Sequence, residues 1–488
     1  MEERKGFGTN FGFLMAAVGS AVGLGNIWGF PNKMGASGGF TFLVIYLVLA
    51  VLCGFIVMVG ELALGRKTHH GAVGAYKALS KKFKWMGWLG ILSAFFILFF
   101  YCALGGYCIK YTVLNIGDLF HAGFGANALA ETAAASGNSL GAEVFGAFMS
   151  SPTEAIVFGL IFVAITMIIV IGGIGGGIEK VCSVGMPALF VMLLICIIRA
   201  CTLEGAVDGL KYMFVPGWAV ANGVIKEAPN FLTVLSTAGG QMFFSLSLGM
   251  GAMITYGSYL DKKENLQKNA ILIIVMDTLV ALMAGLCVIP GRFALDPTGA
   301  LGGPKLLFVT MQNVFSRMGG FGPIFGILFY LLVVFAAVSS SISLLEVIVA
   351  HFVDKARNEG KGDMRKKYTL IAAACVGVGC ILVCADRLGD ASFTPWKLLN
   401  LPAESIRTWN DCWLDFWDML SEGIMMPLGA LLMSLMFGWE VGTDVVKEEC
   451  EASGHAMGSY GFFKVCIKYI TPLIMILILY GQIKEFFF

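Results

Sequence analysis

The sequence predicts an all-α membrane protein with about eleven transmembrane helices. Hydrophobic residues make up 58% of the 488 residues and charged residues only 13%, against roughly one quarter charged in ordinary soluble domains. Apolar runs of about 18 or more residues, long enough to cross the hydrocarbon core of a bilayer, recur along the whole chain. The loops between these runs alternate between basic and non-basic composition, which a soluble helical bundle would not show.

One membrane domain covering residues 1–488 accounts for all of these apolar runs. The predicted spans are Phe11–Met34, Phe40–Leu64, Trp85–Leu114, Thr153–Ile171, Val181–Thr202, Phe231–Leu260, Ala270–Ala294, Phe321–Phe352, Tyr368–Ala385, Leu414–Trp439 and Phe462–Ile483. No secretory cleavage site follows the first run, so we expect it to remain as a spanning helix.

The charges of the loops orient the spans. Segments 66–84, 262–268 and 355–367 are rich in Lys and Arg, whereas 115–151 contains neither, so the positive-inside rule predicts a cytoplasmic N-terminus. With an odd number of spans, the C-terminus then lies outside. We expect a multi-pass protein of the plasma membrane, or of the inner membrane in a bacterium, surrounded by the lipid bilayer.

Charge and cysteine usage exclude other classes of protein. The net charge of +1 offers no concentrated basic face, which argues against a nucleic-acid partner. The thirteen cysteines lie mostly inside apolar runs and form no CxxC pair, so we interpret them as small hydrophobic residues. An odd count also argues against a complete disulfide framework, and Cys412, in a predicted outer loop, is a candidate reactive thiol. No oligomeric state is predicted.

Two of the predicted helices contain glycine-rich stretches, Gly19–Asn26 in the first span and Ser245–Gly251 in the sixth. Glycine costs about 1 kcal/mol relative to alanine inside a helix. An interrupted helix frees backbone carbonyls and amides, which a bilayer tolerates only where they are buried in protein or line a site. Freed carbonyls bind cations, and freed amides attract carboxylates. We therefore expect helices 1 and 6 to be broken around a binding site.

The breaks begin two successive sets of five spans, which is what an inverted repeat predicts. Repeat one then covers about residues 11–202, repeat two about 231–439, and an additional helix about 462–483. This pattern is already known from sodium-coupled transporters. Small residues could also serve close helix packing alone, but two clusters at matched positions favour transport.

Four motifs resemble the neurotransmitter:sodium symporter family. They are Gly19–Trp28 followed by Phe30–Pro31, Gly60–Arg66, Gln241–Gly249 and Ala336–Ser341. The resemblance covers nearly the whole chain, and the eleven-span form is similar to the bacterial amino-acid transporters of the family. It implies a five-plus-five inverted-repeat transporter fold and sodium-coupled import of an amino acid by alternating access.

The resemblance implies two sodium sites, since sodium prefers hard oxygen ligands. The first comprises the carbonyls of Ala21 and Ser245, the side chains of Asn26, Ser245 and Asp277, and the carboxylate of the substrate. The second comprises the carbonyls of Gly19, Val22 and Ala336 and the hydroxyls of Ser339 and Ser340.

Asp277 also bears on chloride. An acid inside a span is usually functional, although a structural hydrogen bond is the alternative. Some members of the family need chloride, using residues that match Tyr46, Gln241 and Ser245, but the hydroxyl that would complete the set is Ala281 here. Because Asp277 brings its own negative charge, we expect transport to be independent of chloride.

The resemblance also implies a substrate pocket without formal charge, in which Tyr101 binds the carboxylate. Its other residues are Ser20, Leu24, Gly25, Ile97, Phe100, Phe244, Ser247, Met250, Ser340 and Leu344. This lining favours an apolar or aromatic amino acid. Any one of these residues could serve ordinary packing, and the interpretation rests on the set.

Tyr101 and Phe244 are expected to close over the substrate. The resemblance implies a cytoplasmic latch, in which Arg4 pairs with Asp354; its residues are Arg4, Phe7, Tyr259 and Asp354.

On the outer side Asp418 matches a gate acid, but Gly29 replaces its usual basic partner. Lys33, one turn further out, either substitutes as the partner or extends to the membrane interface. The spacing of Gly177 and Pro187 resembles that of a family helix that unwinds, although a simple loop before a kinked helix is the alternative.

Three other functions are weaker. A channel needs a continuous polar pore or a filter motif, and none is visible. An intramembrane enzyme needs a catalytic pair or metal ligands, yet the five histidines lie mostly in predicted loops or at span ends, so we expect no enzyme. A membrane receptor or scaffold of the same fold is the remaining alternative, because a fold does not guarantee transport.

Overall fold

The computed structural model describes residues 7–298, 300, 302–398, 400 and 410–487. Within these residues, nine helices are long and apolar enough to cross a membrane, and one bent pair makes a tenth span. The nine are span 2 (Phe40–Thr68), span 3 (Met86–Leu119), span 4 (Pro152–Ile171), span 5 (Ile174–Cys201), span 7 (Leu266–Leu295), span 8 (Gly319–Asn358), span 9 (Arg365–Gly389), span 10 (Trp413–Glu440) and span 11 (Tyr460–Phe487).

Spans 1 and 6 are the interrupted ones. Span 1 is the bent pair, Asn10–Ala21 and Gly25–Ala36, whose axes differ by 44°. Span 6 consists of two helices that are each too short to cross alone, Phe231–Ser245 and Ala252–Gly257. With span 6 included, the described residues contain the eleven predicted spans, and both predicted breaks are confirmed.

Shorter helices connect the spans. They are Ala72–Leu79, Ala130–Ser136, Leu140–Ser150, Ala206–Phe214, Trp218–Ala221, Met311–Ser316, Pro395–Leu398 and Asp444–Glu451. Span 5 begins earlier than the predicted Val181, because the glycine-rich stretch Ile174–Glu179 forms a π-helical turn rather than a loop.

The backbone at each break leaves the helical region. Val22 is extended, with φ −73° and ψ 102°. In span 6, Ser247, Gly249 and Gly251 have φ values of 54°, 79° and 77°, in the left-handed region that glycine tolerates and serine rarely adopts. One amide freed by this break is satisfied by Glu61 of span 2, whose buried carboxylate accepts from Gly249 N–H at 2.7 Å. The break in span 6 is therefore held in a defined conformation by a side-chain hydrogen bond.

The broken helices lie in the centre of the bundle. Span 3 packs along span 8, and the first half of span 1 contacts spans 5, 7 and 8. The two breaks touch directly, since Ser247 Oγ donates to the Ser20 carbonyl at 2.8 Å. The outer spans expose apolar side chains such as Ile168, Val184 and Val378, at 64%, 71% and 69% exposure. Such a surface suits hydrocarbon rather than water.

Candidate functional site

Asp277 of span 7 is the charged centre of the first predicted sodium site. It is fully buried and receives hydrogen bonds from Asn26 Nδ2 at 2.8 Å, from Ser245 Oγ at 2.9 Å and from Tyr46 OH at 3.4 Å. The structure thus brings three of the predicted side-chain ligands together at the two breaks. A buried carboxylate held only by neutral donors lacks a compensating charge, which a cation would supply.

The orientation of the Asn26 side chain differs from that expected for the first sodium site. Asn26 Oδ1, expected as a cation ligand, accepts from Gly23 N–H at 3.0 Å, while its amide nitrogen faces Asp277. Ala21, the predicted carbonyl ligand, lines the neighbouring pocket.

The second predicted set is also assembled, between span 1 and span 8. Ser339 Oγ donates to the carbonyls of Ala336 at 3.0 Å and Val22 at 3.3 Å. Ser340 Oγ lies 3.2 Å from the Gly19 carbonyl and 3.4 Å from that of Val22. Both sets consist of hard oxygen donors and contain no thiol or imidazole. This donor chemistry fits sodium.

A small pocket borders members of both sets, Ala21 and Ser340. Its lining residues are Ser20, Ala21, Gly23, Gly25, Ile97, Tyr101, Phe244, Ser247, Met250, Ser340 and Leu344. Two predicted members do not line it. Phe100 instead stacks on Phe244 with ring centroids 6.4 Å apart, and Leu24 contributes its backbone amide, which donates to Tyr101 OH at 2.9 Å.

Gly23 was missed by the sequence reasoning, although it lies within the glycine-rich stretch that signalled the break. An added Cβ would lie 2.2 Å from Ser340 Oγ and 2.4 Å from Tyr101 OH, so a side chain does not fit there. The pocket, whose lining includes Tyr101 and Phe244, has about 10 Å³ of free volume, room for about one water.

The residues that match a chloride site are occupied by other contacts. Tyr46 and Ser245 donate to Asp277, and Gln241 Nε2 donates to the Gly25 carbonyl at 2.6 Å. Gln241 also lies close to Gly29, since a Cβ on Gly29 would lie 2.7 Å from Gln241 Oε1.

At the predicted cytoplasmic end, aromatic rings pack against one another next to the start of span 1. Phe7 packs edge-on against Tyr256 and Tyr259, with centroids 5.7 and 6.2 Å apart. Asp354 accepts from Gly71 N–H at 3.3 Å. Its predicted partner Arg4 lies outside the described residues.

Two charged residues in this region were missed by the sequence reasoning. Tyr259 OH donates to Glu346 Oε1 at 2.7 Å, and Arg365 forms an ion pair with the same carboxylate. Glu346 is an acid inside an apolar span, and that signal could have identified it.

The outer end differs from the expected gate. Lys33 forms an ion pair with Glu422, which lies four residues after Asp418 on span 10. The expected Lys33–Asp418 pair is therefore not the contact that the structure shows. The second half of span 1 also holds the loop after span 7. Trp28 Nε1 donates to the Gly303 carbonyl at 3.3 Å, and Asn32 Oδ1 accepts from Gly303 N–H at 2.6 Å.

Comparison with known proteins shows the family of this chain. The model of the sodium:neurotransmitter symporter family matches residues 4–120 and 151–394. The uncharacterized sodium-dependent transporter YhdH of Bacillus subtilis is 31% identical over 484 residues, covering 96% of each chain. A sodium-dependent transporter of Haemophilus influenzae, also uncharacterized, is 30% identical over 98% of each chain.

A solved structure is similar over the same length. The crystal structure of MhsT in complex with L-phenylalanine matches with a TM-score of 0.82 at 31% identity, covering 98% of this chain and 100% of MhsT. The predicted transporter fold is thereby confirmed. This chain belongs to the sodium:neurotransmitter symporter family and is a sodium-dependent membrane transporter, not an enzyme.

Proposed function

We propose that this protein imports an apolar or aromatic amino acid with sodium, using two sodium sites and no chloride. The observation that supports the proposal is one pocket without charged side chains at the breaks of spans 1 and 6, whose lining includes Ala21 of the first oxygen-donor set and Ser340 of the second. MhsT, a relative of similar fold, binds L-phenylalanine in its crystal structure, which supports the substrate class.

The pocket has groups for both ends of an amino acid. Tyr101 OH and the Leu24 amide, now 2.9 Å apart, are donors that can turn to a carboxylate. The Ser20 carbonyl accepts from Ser247 Oγ at 2.8 Å and Ser340 Oγ at 3.0 Å, and it is a candidate acceptor for the ammonium group. The remaining wall is uncharged, so a charged substrate side chain would be buried without a partner.

Two closures give alternating access. The outer one joins span 1 to span 10 and to the loop at Gly303, and the inner one is the packing of Phe7 on Tyr259. We place the inner closure and the N-terminus in the cytoplasm and the C-terminus outside, with the protein in the inner membrane if the source is a bacterium. The repeat boundaries near residues 11–202 and 231–439 belong to this proposal.

Uptake into proteoliposomes tests the function. An inward sodium gradient should drive accumulation of labelled phenylalanine, tryptophan or leucine well above that of lysine or aspartate. Tyr101→Phe keeps the ring but should lower uptake by roughly tenfold or more, since a hydrogen bond to a charged group contributes about 1.5–3 kcal/mol. Equal uptake with potassium or choline in place of sodium would contradict sodium coupling, and transport of charged substrates alone would contradict the substrate class.

A further inference from the structure

The ion pair between Lys33 and Glu422 lies at the outer end of the second half of span 1. The two side chains are only 18% and 6% exposed, so this contact is not an ordinary surface pair. A surface ion pair contributes little, whereas removal of one partner of a buried pair leaves an uncompensated charge and is strongly unfavourable. Removal of either partner should therefore destabilise the conformation in which the pair forms.

Several acidic side chains line the same outer cavity as Lys33. An outer cavity of about 240 Å³ is lined by Trp28, Asn32, Lys33, Thr237, Gly303, Pro304, Asn410, Asp415, Asp418, Glu422, Gly423, Gln482 and Glu485. Among these described residues Lys33 is the one basic side chain. Asp418 directly precedes the π-helical turn Met419–Met425 of span 10, and Glu422 lies inside this turn. Because the two residues are four apart in the helix, they share a face. Of the two, Lys33 contacts Glu422.

Glu422 also meets span 6. A Cβ on Gly240 would lie 3.1 Å from Glu422 Oε1 and 3.3 Å from Gln482 Nε2, so the first half of span 6 approaches the carboxylate closely because residue 240 is glycine. Gln482 of span 11 donates to the Ser236 carbonyl at 2.9 Å and supports that half-helix from behind. Glu422 thus lies where both broken helices and span 10 converge.

No other base is available at the first turn inward. Residue 29, one turn nearer the break, is glycine, and a Cβ there would lie 2.7 Å from Gln241 Oε1. The basic residue on this part of span 1 is Lys33, and it pairs with Glu422, which lies one turn further into the membrane on span 10 than Asp418.

We propose that Glu422, rather than Asp418, is the acid of the outer gate, and that the Lys33–Glu422 contact holds span 1 and span 6 closed against span 10. The proposal rests on the proposed function, since it takes this end of the bundle as the outer entrance of an alternating-access transporter. Asp418 lies beside the pair without being the partner of Lys33.

Thiol accessibility tests the gate without needing a substrate. Ile97 is fully buried in the central pocket, so Ile97→Cys reports outer opening when a membrane-impermeant maleimide is added to intact cells in sodium buffer. Cys375, the exposed native cysteine, is replaced by serine in all variants, and the same chain with Ile97 intact gives the background. Protein amount and sodium-dependent melting show that each variant is folded.

Lys33→Gln and Glu422→Gln should each raise the labelling rate on the order of tenfold, and the double variant should be no faster than the faster single one, because the two residues act through one contact. The exchanged pair, Lys33→Glu with Glu422→Lys, should return the rate to within about threefold of the parent. Asp418→Asn is the comparison variant; it should raise the labelling rate less than Glu422→Gln and couple more weakly with Lys33→Gln, because Asp418 lies beside the ion pair without being part of it.

If the effects of Lys33→Gln and Glu422→Gln multiply, or if Asp418→Asn rather than Glu422→Gln shows the coupling, the proposal is overturned. A folded exchanged pair that labels as fast as the single variants would also overturn it. If the gate coupling appears but no amino acid is taken up in proteoliposomes, the proposed substrate fails while the gate stands.

Discussion

Gly23 and Asp277 set the chemistry of the central site in different ways, one by size and the other by charge. Gly23 lets Tyr101 OH reach the Leu24 amide and lets Ser340 approach span 1. Asp277 gathers the hydroxyls of Ser245 and Tyr46 that could otherwise donate to an anion. At Gly23 one added methyl group would clash with the pocket, and at Asp277 loss of one charge would free the two hydroxyls.

Gly23→Ala should block closure of the pocket. The added methyl would meet Ser340 Oγ and Tyr101 OH at 2.2 and 2.4 Å, well inside van der Waals contact, so we expect initial uptake to fall by roughly tenfold or more. Gly146→Ala is the matched control, because nothing lies within 4 Å of its added Cβ. Uptake of the Gly23→Ala protein within twofold of the parent at equal expression would show that the pocket does not need this close approach.

Replacement of chloride by gluconate should leave uptake unchanged. Two sodium ions and a zwitterion bring net positive charge into a buried site, and uncompensated charge there costs several kcal/mol. The Asp277 carboxylate offsets one of these charges. Asp277→Asn combined with Ala281→Ser frees the donors and adds a hydroxyl, so this double variant should transport only with chloride. Asp277→Asn alone is the control, and strong chloride dependence of the unmodified protein would refute the electrostatic account.

At the scale of elements, the start of span 5 holds the start of span 1. Glu179, at the end of the π-helical turn Ile174–Glu179, accepts from Gly8 N–H at 2.8 Å and from Thr9 Oγ1 at 3.2 Å. The turn itself needs glycine, since a Cβ on Gly177 would lie 2.1 Å from the Ile169 carbonyl oxygen. A change in the conformation of this turn would therefore disturb the contacts of Glu179 with the start of span 1.

Glu179→Gln should loosen the cytoplasmic end of span 1. Loss of the charge weakens hydrogen bonds that contribute about 1.5–3 kcal/mol, so amide hydrogen exchange of residues 8–14 should accelerate by roughly tenfold. Glu154→Gln, which removes the ion pair with Lys110 at the start of span 4, is the control and should leave these amides unaffected. Equal exchange in Glu179→Gln and the parent would mean that span 1 does not depend on this contact.

At the scale of the whole molecule, the two oxygen-donor sets join distant parts of the chain. The first links span 1 to spans 6 and 7, and the second links span 1 to span 8. A cation bound to either set stabilises only the folded arrangement, because the unfolded chain does not bring these atoms together.

Sodium should therefore raise the unfolding temperature of the purified protein. At about 100 times the dissociation constant, binding stabilises by about 2.7 kcal/mol, and we expect a rise of roughly 2–5 °C over the same concentration of potassium. Ser339→Ala with Ser340→Ala removes two ligands and should reduce the rise, whereas Ser150→Ala, in a connecting helix, should not. Identical midpoints in sodium and potassium would contradict both proposed sites.

The sequence by itself determined the spans and the two breaks, and it predicted most of the residues that line the central pocket of the structure. Apolar length and glycine clusters act locally, through the thickness of the bilayer and the cost of glycine in a helix, so they can be read without the fold. Asp277 and the serines of span 8 were assigned by their positions relative to the family motifs, and the structure shows Asp277 bonded to Ser245 and the span 8 serines next to the carbonyls of span 1.

Only the tertiary structure decided which distant charges meet. Lys33 pairs with Glu422 rather than Asp418, Glu346 pairs with Arg365, and Glu179 holds the start of span 1. Sequence spacing reports neighbours within one helix, where residues three or four apart share a face. The partner across a helix interface depends on how far one helix is shifted along the next and on which small residues, such as Gly240, allow close approach. Those quantities arise from packing of the whole bundle, and a single helix does not contain them.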